Sequence, residues 1–167
     1  MAIKNKKNGF ALLIAIIFMS VVLSLGVALG ALGYKQQVLA SGATESQYSF
    51  YVADAALECT LYADQQQNLF IYALHDGNNP PNLITCDNEP ATQLNYDYNA
   101  TRLYVSERFS LDSNTRCADV TIYKYKNPQP PTGLTTYIFS QGYDVPCSTV
   151  NSPEGARFVS RGINAHY

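Results

Sequence analysis

The chain has 167 residues, a length that suits one domain, and 47% of them are hydrophobic, which is ordinary for a globular protein. A formal net charge of −2 excludes nucleic-acid binding through bulk positive charge, and the composition excludes a collagenous, purely coiled-coil or wholly disordered chain. With 13 Tyr, 7 Phe and no Trp, tyrosine and phenylalanine supply the aromatic part of any core.

The chain begins with a short basic stretch, residues 1–9 (MAIKNKKNG), in which Lys4, Lys6 and Lys7 are the charges. Residues 10–33 then read FALLIAIIFMSVVLSLGVALGALG, 24 positions whose only hydroxyls are Ser20 and Ser24. All 11 basic and 13 acidic residues lie outside that window. A helix of ~20 apolar residues at ~1.5 Å per residue crosses a bilayer core, so the run is long enough to span a membrane. A buried core helix of this length is too long for so small a domain. A secretory signal peptide needs an apolar core of only ~7–15 residues and a small-residue cleavage site. Ala31-Leu32-Gly33 offers such a site, but the run is too long for that reading. Three lysines before the run against Lys35 after it predict a cytoplasmic N-terminus and an exported remainder.

No Pro occurs before residue 80, so the helix is expected to continue through residues 34–66. Phe50, Ala53, Leu57 and Leu61 recur at three and four positions, and Tyr48, Val52, Ala55 and Cys59 form an adjacent strip. Together they predict a wide apolar stripe suited to packing on a sheet. Glu45, Asp54, Glu58 and Asp64 interrupt it, and Asp54 and Glu58, four apart, read as a solvated face. Gly26 and Gly30 form a small-x-x-x-small pair that lets helices approach closely in lipid, although glycine is also frequent in membrane helices generally.

The order of basic leader, Gly9-Phe10 and uninterrupted hydrophobic helix resembles the class III leader of type IV pilins and pseudopilins. Residues 48–64, YSFYVADAALECTLYAD, resemble the second half of the long helix in minor pilins of the PilX N-terminal type. The resemblance covers residues 1 to about 65. It implies cleavage after Gly9 by a membrane prepilin peptidase, methylation of the new N-terminal Phe10, and storage of residues 10–33 in the inner membrane. An inner-membrane assembly platform would then move the helix into the core of an extracellular filament beside other pilin subunits. The fold it implies is α+β, a long N-terminal helix packed on a C-terminal antiparallel sheet over residues 67–167, with a structural rather than enzymatic role. Pilus, secretion and competence filaments all fit this resemblance, with cell adhesion among the roles such filaments serve. One position departs from the family. The fifth residue counted from Phe10 is Ile14, where major pilins carry a Glu that neutralises the N-terminal amine of the neighbouring subunit. A buried ammonium without a partner costs several kcal/mol, so Ile14 points to a subunit at the filament tip. The alternative is a lineage whose filament core accepts Ile throughout. A different reading of the whole chain is a membrane-anchored or secreted binding domain that never polymerises.

After residue 67 the pattern changes. Residues 76–82 (DGNNPPN) are a turn-rich loop, and strand-like runs follow at 101–110, 116–126, 134–143 and 156–162. Residues 127–133 (NPQPPTG) form a loop between two of them, and the simplest arrangement is an antiparallel meander of about four strands. Cys59, Cys86, Cys117 and Cys147 lie on the exported side with gaps of 27, 31 and 30 positions and no C-x-x-C pair, which favours two disulfides over a metal site. If Asn127 faces Leu134, Cys117 lies opposite about residue 144 and within reach of Cys147. Cys59 is then left for Cys86, one choice of the three connectivities.

No G-x-S-x-G, H-E-x-x-H or Walker-type lysine loop appears, and neither His75 nor His166 sits beside a nucleophile motif, so no catalytic residue and no cofactor is expected. Asp87-Asn88-Glu89 and Asp112-Ser113-Asn114 read as turns rather than calcium loops. Lys124 and Lys126 interleave with Tyr123 and Tyr125, a small basic-aromatic patch that reads as a solvated strand face rather than a nucleic-acid surface. Asn99-Ala100-Thr101 fits the N-glycosylation sequon, a pattern that also arises by chance.

Overall fold

The computed structural model describes residues 8–71, 80–126 and 133–167. Lys4, Lys6, Lys7, His75 and most of the 76–82 and 127–133 loops lie outside the described residues. The elements are α1 (Asn8–Gln65), β1 (Thr85–Cys86), β2 (Glu89–Pro90), β3 (Thr92–Asn99), β4 (Arg102–Leu111), β5 (Arg116–Lys126), β6 (Leu134–Tyr143), α2 (Cys147–Asn151) and β7 (Ser160–His166). The fold class is α+β, a long apolar N-terminal helix followed by an antiparallel sheet. Asn68 ends α1 by taking a left-handed conformation (φ 53°), and the Leu69 N–H returns to the Ala63 carbonyl at 3.0 Å.

The chain forms two compact units, Met1–Gly42 and Ala43–Tyr167. In the first, every side chain from Phe10 onward is exposed. The Ser20 and Ser24 hydroxyls donate to the carbonyls of Ile17 and Val21, each at 2.8 Å. The two polar side chains of the apolar run are thus satisfied within the helix, as an environment without water requires.

In the second unit, β3 to β7 form one five-stranded antiparallel meander in sequence order, and β1 pairs with β2 in a separate two-stranded ribbon. Side chains alternate between faces along each strand. One face carries Leu103, Val105, Phe109 and Leu111 from β4, Ala118, Val120 and Ile122 from β5, and Ile138 from β6, all buried. Val52, Ala56, Leu57 and Ala63 of α1 join them in a core completed by Phe70 and Ile84. The buried strip of α1 consists of Ser49, Val52, Ala53, Ala56, Leu57, Thr60, Ala63 and Asp64. It is rotated from the expected stripe, since Tyr48, Phe50 and Ala55 are exposed. The cause is a close approach. A Cβ at Gly142 of β6 would collide with the Ser49 carbonyl oxygen and the Ala53 backbone nitrogen, so only small residues fit the contact and the aromatics turn outward. Ser140 donates to the Ala53 carbonyl at 2.7 Å and Ser49 to the Val159 carbonyl at 3.0 Å, tying helix to strands through hydroxyls.

Three expectations change. The sheet has five strands rather than about four, because the polar run TQLNYDYN forms the edge strand β3. The last strand begins at Ser160 rather than 156, after a turn in which Glu154 and Gly155 have positive φ. The β5–β6 register pairs Lys126 with Leu134 and Cys117 with Tyr143, one position from the register expected. Cys117 nevertheless bonds Cys147, and Cys59 bonds Cys86. The Cys59–Cys86 bridge joins α1 to the β1–β2 ribbon and the Cys117–Cys147 bridge joins β5 to α2. Asp87 and Asn88 turn that ribbon with φ of 54° and 62°, the left-handed pair a two-residue hairpin needs.

Candidate functional site

Two surfaces stand out, neither with the makings of a catalytic centre. The first is the exposed apolar length of α1. Phe10 (71% exposed) and Ile14 (50%) lie on it, and a Cβ at Gly26, Gly30 or Gly33 would meet nothing within 4 Å. A helix that is apolar on all sides needs lipid or other helices around it, so this segment is a candidate membrane anchor. Gly9 lies in the first turn of α1, after Asn8 and immediately before Phe10.

The second surface is the open face of the sheet. In register, Asp97 of β3 pairs with Tyr104 of β4, Tyr104 with Tyr123 of β5, Tyr123 with Tyr137 of β6, and Tyr137 with His166 of β7. The ring centroids of Tyr104 and Tyr123 are 4.9 Å apart, and Tyr137 stacks on His166 at 5.9 Å. Tyr125 lies parallel to Tyr123 at 6.1 Å, and Phe139 meets Tyr123 edge-on at 5.9 Å. Partial burial, then the neighbouring Tyr104, pushes the Tyr123 phenol up, so it stays neutral at physiological pH. Thr121, Tyr123, Tyr125, Tyr137 and Phe139 line a shallow open depression. Beyond it, Arg108 holds Asp119 through two bonds of 2.6 Å, and the Tyr143 hydroxyl donates to the same carboxylate at 3.2 Å. Such a surface can stack on flat apolar faces and donate phenol hydrogens. It contains no nucleophile beside a base.

Lys124 does not belong to this face. It sits on the core side of β5, buried, with its ammonium 2.6 Å from Asp64 of α1. The Tyr167 hydroxyl donates to the other Asp64 oxygen, and burial together with that bond raises the Tyr167 phenol above its ordinary range. The basic-aromatic patch expected at Tyr123 to Lys126 is therefore not assembled, because alternation along β5 sends Lys124 inward and the tyrosines outward. Another buried group escaped the sequence reading. Glu107 is 1% exposed and accepts the Ile84 N–H at 3.1 Å, and burial raises its carboxyl to about 7. His166 lies on the exposed edge strand. Asp54 is half-buried and Glu58 exposed. Asp87 accepts the Asp112 N–H at 3.1 Å, joining the two acidic turns. Among the described residues, no group of three or more His, Cys, Asp or Glu converges on a metal position. The sequence matches no known protein family, and neither a curated protein nor a solved structure matches it.

Proposed function

We propose that this chain is a structural subunit of a type IV pilus-like filament, a minor pilin or pseudopilin held in the inner membrane before assembly. The observation that carries this reading is the build of α1. One helix bears a lipid-compatible surface at its start, directly after Gly9-Phe10, and supplies the core strip of a disulfide-bonded sheet domain at its end. A subunit that must leave the membrane without unfolding needs both properties in one element. Exposed Phe50, Tyr51 and Tyr62 on the later half of α1 supply apolar surface for neighbouring subunits. Prepilin peptidase and the assembly platform act on it as partners, and the role calls for no catalysis and no cofactor.

Ile14 supports a tip position for this subunit. The chain has no carboxylate between Phe10 and Gly42, so it cannot neutralise the amine of a subunit ahead of it, while its own amine can accept a Glu from the subunit behind. Immunogold labelling of sheared filaments tests this. Label at filament ends is expected, and Ile14→Glu should spread label along the shaft. Even shaft label on the unaltered protein contradicts the tip position. The second reading, an anchored binding domain that does not polymerise, is favoured by the open aromatic face, and a processed chain that never enters filaments would establish it.

A further inference from the structure

We propose that Asn99 is a glycan acceptor and that the N-linked sugar it carries lies along the aromatic row of the open sheet face. Asn99-Ala100-Thr101 is the one N-x-Ser/Thr sequence in the chain. It occupies the tip of the β3–β4 hairpin, where Asn99 pairs with Arg102 and all three residues are exposed. The side-chain geometry is that of a primed acceptor. Asn99 Oδ1 accepts the Thr101 hydroxyl at 3.0 Å, the Thr101 N–H at 3.0 Å and the Arg102 N–H at 2.9 Å. Three donors draw charge onto the amide oxygen and make the Nδ2 hydrogens more acidic.

The surroundings fit the same ligand. Asp97, two residues earlier, shares Asn99's face of β3 and is ion-paired with Arg102, which holds the hairpin tip in this arrangement. That face is also the one carrying Tyr104, Tyr123, Tyr125, Tyr137 and His166. In register Asn99 faces Arg102, with Tyr104 two residues along β4 and Tyr125 beyond Arg102 on β5, so one to two strand spacings of ~4.8 Å separate the acceptor from the nearest rings. A chain of two or three sugars spans that distance. Sugar rings offer axial C–H faces to tyrosines, which gives the exposed aromatics an occupant tethered to the same domain. The disulfides require an oxidising compartment, and a membrane anchor presents the domain to a lipid-borne donor. In the transfer, Asn99 Nδ2 forms a bond to the anomeric carbon of a lipid-diphosphate-linked sugar. The carbon–oxygen bond to the diphosphate breaks, the lipid diphosphate leaves with the electron pair, and a base of the transferase takes the amide proton.

This proposal needs export but not polymerisation. The test is peptide mass spectrometry of the full chain purified from its native host, with Asn99→Asp, Thr101→Ala and Thr101→Ser variants beside it. Asn99→Asp keeps an oxygen acceptor for the turn and so controls for folding. A hexose or N-acetylhexosamine series on the Asn99 peptide is expected, retained in Thr101→Ser and lost in the other two. Radical footprinting should then show Tyr104 and Tyr137 at least twofold more reactive in Asn99→Asp. Wild-type protein whose Asn99 peptide is found only unmodified overturns the acceptor assignment. A glycan that leaves tyrosine reactivity unchanged overturns its placement on the sheet. In either case, processing at Phe10 reports separately on the filament reading.

Discussion

At Gly142 the absence of a side chain decides how close helix and sheet come. Because the colliding atoms are backbone, they cannot swing away as the end of a flexible side chain could. Gly142→Ala should cost ~1–3 kcal/mol, the usual penalty of overpacking, read as a lower urea midpoint with an unchanged slope. An unchanged midpoint would mean that α1 and β6 are not in this contact. Glu107 makes the opposite kind of prediction. Its carboxyl is raised to about 7 in the folded protein by burial, with the Ile84 N–H bond opposing part of that rise, whereas in the unfolded chain it ionises near ~4.3. Between those values the folded state holds the proton that the unfolded state has lost. Stability is therefore highest below the lower value, falls as pH rises toward 7, and stays reduced above it. Glu107→Gln should match wild type near pH 4 and exceed it by on the order of 3–4 kcal/mol at pH 8. Parallel stability profiles for the two proteins would contradict this.

At the scale of elements, the buried Lys124–Asp64 pair clamps β5 to α1, and Tyr167 beyond the end of β7 closes on the same carboxylate. Removing one partner leaves an uncompensated buried charge, so Lys124→Met or Asp64→Leu alone should cost ~3–5 kcal/mol, while the double variant should recover most of that loss. Additive losses in the double-mutant cycle would show that the two groups do not interact. The pair also shows what the sequence discloses. Alternation around Val120 and Ile122 already puts Lys124 on the core side, and a lysine there demands an acid. The tyrosines beside it made the stretch read as a surface patch instead. β5 and β6 were legible to the residue because β-branched and aromatic side chains crowd them. β3 was not, since an edge strand has little apolar pattern to show. The helix stripe was misplaced for another reason: periodicity marks large apolar residues, whereas a close helix–sheet contact selects Ser49, Ala53, Ala56 and Thr60. The disulfide pairing survived a one-residue error in register because Cys147 lies just beyond the end of β6, where a short segment absorbs the shift.

For the whole molecule, the proposed role unites an apolar helix surface that needs surroundings with a domain that is stable without them. The domain has its own core, two disulfides and a sheet whose edge strands β3 and β7 are polar, which discourages edge-to-edge association. In the proposed role, assembly runs through α1 rather than through the sheet edges. The apolar surface of α1 was legible in the sequence, because it is a linear feature that no tertiary contact rearranges. The aromatic row was not, since it exists only once five strands are in register. The most direct test of the filament role is the mass of the N-terminal peptide from protein purified out of native membranes. The account predicts a chain that starts at Phe10 and carries one added methyl group on its amine. A chain that retains Met1, or one that starts at Tyr34 after removal of the apolar run, would contradict it.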